Sequence, residues 1–106
     1  MYDKRIYQKL DKIIQDRKKL QLKQEKKKYA RFNVIFNYCL SALSYEYQKI
    51  LRKSYFEDEY KFWWVDEYSK TAYYRKRIKA VTSFVKLFEL INENFDNFSS
   101  NSSLAY

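Results

Sequence analysis

The stretch SKTAYYRKRIKAVTSFVKLFELIN, residues 69–92, decides the fold. Tyr73, Ala80, Val81, Phe84, Leu87, Phe88 and Ile91 recur at helical spacing and give one broad apolar face. Ser69 opens the stretch and fits an N-cap, since its hydroxyl can accept an orphan backbone N–H. The helix is predicted to run to about Asn92. Its first half differs in kind from its second. Residues 69–79 hold five basic side chains and no acidic one.

Upstream, Phe32, Ile35, Phe36, Cys39, Leu40 and Leu43 repeat at the same spacing, which predicts a central core helix over residues 29–42. Ser44 fits the N-cap of a further helix carrying Tyr47, Ile50, Leu51 and Tyr55. The acidic tripeptide Glu57-Asp58-Glu59 suits the start of a short helix with Phe62, Trp63 and Val65, because negative charge favours the positive end of the dipole. Asp66-Glu67-Tyr68 then reads as a turn. Trp63 and Trp64 read as core or subunit-interface residues, or as platforms on which unpaired bases stack.

Residues 1–28 read as a long exposed helix with a narrow apolar row of Ile6, Leu10, Ile13 and Leu20, interrupted by Arg17 and widened by Tyr7 and Ile14. Between Gln15 and Lys28 stand seven basic residues, two acidic ones and only two apolar ones. That segment reads as a solvated face, or as a basic arm that follows a phosphate backbone. The polar Ser/Asn-rich residues 97–106 read as a disordered tail. The remainder, 1–96, is expected to form one all-α domain of about four to five helices.

Composition supports the class. The 106 residues contain no glycine and no proline. Tight two-residue hairpins want residues that tolerate positive φ, usually Gly or Asn. Gly-rich phosphate loops require glycine outright. Helix interiors need neither residue, and both weaken helices. The usual Gly C-cap is also missing, so Asn, polar turns or fraying must end the helices. Hydrophobic residues make up 46% of the chain and aromatics 21%, enough for one modest core.

The absence of histidine removes the commonest neutral-pH base and metal ligand. The single cysteine, Cys39, sits in an apolar run and reads as a buried structural thiol. No metal site, cofactor or enzymatic activity is therefore expected. Lys and Arg total 22 against 13 Asp and Glu, a formal +9. Such an excess favours polyanionic partners. The same Lys, Tyr, Phe, Asn and Ile richness fits an AT-rich genome. No apolar run reaches the roughly 18 residues of a membrane span, and no apolar signal region opens the chain. A cytoplasmic location with no membrane partner is the expectation.

Tyr68-Ser69-Lys70-Thr71-Ala72-Tyr73-Tyr74-Arg75-Lys76-Arg77 resembles the Tyr-Ser-x-x-x-Phe-Tyr-Arg-x-Lys signature of ArpU-type phage transcriptional regulators. It is also similar to the helix-turn-helix of sigma-factor region 4. Leu43 to Phe56 resembles the preceding helix of these families, and Ala80, Val81 and Phe84 continue the pattern. Regulators of this type also occur in AT-rich, wall-less bacteria. The resemblance spans about residues 43–88, which it implies form a helix-turn-helix-like unit extending over 43–92. The pattern departs where Asp66-Glu67 replaces a Leu-Gly turn, where Trp63 replaces a small alanine, and where Lys76 takes a usually apolar place.

The resemblance implies a DNA-binding transcriptional regulator acting on duplex DNA, alone, as a homodimer, or alongside RNA polymerase. Carried over by position, Lys70, Thr71, Tyr74 and Arg75 would face bases. Ser69, Lys76, Arg77 and Lys79 would lie nearer the phosphates or the helix cap. A different class of function is a helical protein-interaction module, in which the apolar row of residues 6–20 docks a partner helix or a second copy without reading DNA.

Overall fold

In the computed structural model the described residues are 4–23 and 25–94. They form an all-α fold with no strand among them. Four helices follow in order: α1 Lys4–Leu22, α2 Lys26–Ser41, α3 Tyr45–Leu51 and α4 Lys70–Glu93. A π-helical turn, Arg52–Phe56, continues α3 without a break. The predicted tail at 97–106 lies outside the described residues.

The long N-terminal helix is shorter than expected, and it is not an exposed arm. It ends at Leu22, and Lys23 donates its N–H to the Lys19 carbonyl at 3.0 Å before α2 begins. Beyond Leu20 the apolar row stops, so nothing holds a continuous helix against the core. Ile6, Leu10 and Ile13 are buried in the common core, where α1 packs against α2 and α4. The first part of the row expected to dock a partner, Ile6 to Ile13, is thus consumed within the chain itself, while Leu20 stays half-buried outside the core. Arg17, which interrupts that row, lays its guanidinium 4.3 Å from the Phe36 ring centroid and donates Nε–H to Asn33 at 3.1 Å. A planar cation lidding an aromatic face keeps its charge wet while covering apolar surface.

Helix α2 brings Ile35, Phe36 and Cys39 into the interior. Burial pushes the Cys39 thiol up to about 11, so it stays protonated and inert. Ser44 caps α3, accepting from the Tyr47 N–H at 3.2 Å. The expected regular helix through Tyr55 loosens at Arg52. The Glu57 N–H reaches back five residues to the Arg52 carbonyl at 2.7 Å, the hydrogen bond of a π-turn. Phe56 then meets Phe36 at 4.8 Å and Phe84 at 5.6 Å between ring centroids.

The short helix expected after Glu57-Asp58-Glu59 is absent. Residues 61–67 form successive tight turns instead, with N–H groups of Trp63, Val65 and Glu67 bonded to carbonyls three residues back. A segment this short nucleates a helix poorly, and stacking decides its path. Trp64 is buried face to face on Tyr73, 4.4 Å away with the rings 5° apart. Trp63 is half-buried edge-on to Tyr68 and Tyr73, and its indole N–H is enclosed with no partner among the described residues. Both tryptophans therefore serve packing.

Helix α4 starts where the sequence places it. The Ser69 hydroxyl accepts from the Ala72 N–H at 3.1 Å. At the far end Asn94 stands at φ −111°, and its side-chain amide donates to the Leu90 carbonyl at 2.8 Å. An asparagine side chain thus does what glycine usually does by conformation. Between these ends Tyr73, Ala80, Val81, Phe84, Val85 and Phe88 are buried.

If α1 is an integral wall of the core, Leu10→Ala costs about 2–5 kcal/mol. Leu22→Ala, at a residue 82% exposed, stays within about 0.5 kcal/mol. Urea unfolding of both variants checks this, and equally small effects would show that α1 is not packed.

Candidate nucleic-acid interface

The eight residues expected to meet DNA lie at the start of α4, but they do not form one set. Lys70, Thr71, Tyr74 and Arg75 are exposed along one side of its first two turns. Ile78 follows them at helical spacing, and Tyr7 of α1 stands opposite. Together with Arg77 these residues enclose an open depression of about 590 Å³. Among the described residues no carboxylate lines it.

Ser69 faces its own helix as the cap, so its hydroxyl is already engaged. The remaining first-turn N–H groups and the positive end of the helix dipole still favour an anion there. Lys79 is exposed on another side of α4, beside Tyr47 and Thr82.

Lys76 is directed elsewhere. Its ammonium donates to Glu46 Oε1 of α3 at 2.9 Å, and the Tyr68 hydroxyl donates to the other oxygen at 2.9 Å. The hydrogen bonds from Lys76 and Tyr68 hold the Glu46 carboxyl below its ordinary 4.5. Nearby, Lys49 donates to Glu67 at 2.6 Å, which keeps the lysine charged to higher pH than usual. These two pairs tie the turn and α4 to α3. The Asp66-Glu67 turn is thereby held by side chains on α3, without glycine.

Arg77 is half-buried among aromatic rings. Its guanidinium carbon lies 4.5 Å from the Tyr74 centroid, 5.2 Å from Tyr7 and 5.6 Å from Tyr73. Its Nε–H donates to the Tyr7 hydroxyl at 3.4 Å. Burial works against the charge, but the phenols of Tyr55 and Tyr7 outweigh it and the net direction is upward. Among the described residues no carboxylate pairs with Arg77, Arg75 or Lys70.

The second basic region, Lys18 to Lys28, forms the elbow between α1 and α2. Its nearest member, Lys18, lies 11 residues along α1 from Tyr7, roughly 17 Å at the helical rise. Elbow and α4 face are therefore separate patches. Sequence reasoning missed Tyr7 and Glu46 as parts of this site. Neither has a local signal, because each matters only through the helix it meets in space. Among the described residues no cluster of metal-ligating side chains occurs, and no helix is long and apolar enough to cross a membrane. No family model, curated protein or solved structure matches the chain.

The folded Glu46 carboxyl ionises below its unfolded value, so the pair stabilises the protein above pH 4.5 and loses its effect as pH falls below it. Glu46→Gln should cost about 0.5–1 kcal/mol at neutral pH, the scale of a partly exposed pair. The gap between variant and parent should close in acid. Chemical denaturation at neutral pH and again in acid measures this; a constant gap would show that the carboxylate charge is not what stabilises.

Proposed function

We propose that this chain is a DNA-binding transcriptional regulator that reads duplex DNA with the first two turns of α4. One observation carries the reading: Lys70, Thr71, Tyr74 and Arg75 are exposed together on a capped helix start, with no carboxylate lining their depression among the described residues. Helix-turn-helix readers contact base edges with the N-terminal residues of their second helix. Arg75 has the fork geometry that pairs with guanine O6 and N7, and the Thr71 methyl suits a thymine methyl.

The supporting helix fits the same reading. α3 packs against α4 and is pinned to it by Glu46–Lys76, while Lys49–Glu67 secures the connecting turn. A rigid pair is what base reading needs, since small displacements of a contacting helix lose the hydrogen-bond pattern. Lys79 and the elbow lysines supply charge that contacts phosphates without reading sequence. The roles assigned to Lys76 and Ser69 shift accordingly: both serve the architecture.

Fluorescence anisotropy against random and AT-rich duplexes across a salt series tests the reading. Binding should weaken with a log–log slope near −0.9 per phosphate contacted. Arg75→Ala should cost about 1–3 kcal/mol on the preferred duplex and relax the preference. Lys18→Ala should weaken all duplexes alike, with the slope reduced by about 1. Absence of binding at low salt would overturn the proposal, as would equal losses on every sequence for both variants.

A further inference from the structure

The depression between α1 and α4 is more than a helix surface needs for a DNA groove. Its volume of about 590 Å³ falls within the roughly 300–1,000 Å³ of small-molecule sites. Its walls sort into two chemistries. Lys70, Arg75 and Arg77 are cationic; Tyr7, Tyr74 and Ile78 offer ring and aliphatic surface.

Arg77 is the informative residue. It is half-buried, and among the described residues its charge meets aromatic faces and a phenol oxygen at 3.4 Å. Its terminal nitrogens have no partner among the described residues. Burial works against a guanidinium, but the surrounding phenols outweigh it, so the fork is held in place with its charge kept. Arg77 lines the same depression as Lys70 and Arg75, which likewise have no carboxylate partner among the described residues. Guanidinium forks take phosphate oxygens two at a time. Beside them the Tyr74 ring is 39% exposed, which leaves π-surface for a flat heterocycle.

We propose that this depression binds a nucleoside phosphate, its phosphates on Arg77, Lys70 and Arg75 and its base against Tyr74. The ligand is either a free nucleotide or an unpaired nucleotide at the end of a strand; the chemistry recognised is the same. The pocket stands apart from the duplex reading. Only its regulatory consequence rests on that reading: Lys70, Tyr74 and Arg75 would serve both ligands, so occupancy by one excludes the other.

Isothermal titration of the full chain with adenosine diphosphate, pyrophosphate, adenosine and tetrathymidylate tests this. Adenosine diphosphate or tetrathymidylate should bind about tenfold or more tighter than pyrophosphate or adenosine, and which of the two binds identifies the source. Tyr74→Ala should reduce that ligand to the pyrophosphate level, and Arg75→Gln should weaken both. Lys86→Gln, an equal charge loss on the exposed far half of α4, should change neither; circular dichroism confirms that each variant is folded. Pyrophosphate binding as tightly as the nucleotides overturns the proposal, as does indifference to Tyr74→Ala or absence of any binding. A labelled duplex in the same titration separates the two readings. Nucleotide binding without duplex binding leaves the pocket and removes the DNA reading; duplex binding without nucleotide binding does the reverse.

Discussion

The Phe84 ring is the point at which the helices meet. It is wholly buried, 5.2 Å from Phe36 on α2, 5.6 Å from Phe56 on the π-turn and 6.2 Å from Phe88 on its own helix. Rings at such centroid distances contribute packing energy beyond the area they cover. The π-turn follows from this constraint. Without the wider turn, Phe56 would lie elsewhere on the helix surface, and the Phe36–Phe56–Phe84 contact would be lost. Stacking also sets the path of residues 61–67, since Trp64 must lie flat on Tyr73. Ring packing in this chain thus overrides backbone regularity twice, once in a helix and once in a turn.

What was legible in the sequence was local. The Ser44 and Ser69 caps, the extent of α4 and the buried Cys39 all depend on contacts within a few residues, or on a single apolar stripe. The end of α1 and the path of residues 57–68 were not legible, because both are settled by partners distant in sequence. A row of Ile6, Leu10 and Ile13 looks the same whether it faces solvent, a second copy or the chain's own α4. Only the packing of α1 on α2 and α4 tells these apart. Part of the site was legible for the same reason: Lys70, Thr71, Tyr74 and Arg75 share a face by helical period alone. Tyr7 was not, since it reaches that face from α1, on the opposite side of the core in sequence.

Lys76 and Arg77 show how the fold sorts charges that composition treats alike. Adjacent residues on a helix point about 100° apart, so neighbours meet different elements. Lys76 meets Glu46 on α3 and becomes a strut. Arg77 meets Tyr7 on α1 and keeps its charge among phenols, with no carboxylate partner among the described residues. On the α3 side of α4 Glu46 and Glu67 each hold a lysine, and farther along the helix Glu89 holds Lys9 of α1. Among the described residues no carboxylate lines the depression at the start of α4. The formal +9 therefore understates the local field at Lys70, Arg75 and Arg77, and overstates it along the α3 seam.

That asymmetry has an energetic consequence for any function at α4. The depression brings three cations together, and the half-buried Arg77 keeps its charge because the phenols of Tyr55 and Tyr7 outweigh burial. An anion that seats on them binds the folded form selectively, since the extended chain does not hold the three together, so occupancy and stability are linked by mass action. Lys76 has a carboxylate partner in Glu46, whereas Arg77 one position later is surrounded by phenol rings that hold its position, with no carboxylate partner among the described residues. Position without neutralisation is what a binding cation needs, and it is the physical ground for proposing a ligand site at the start of α4.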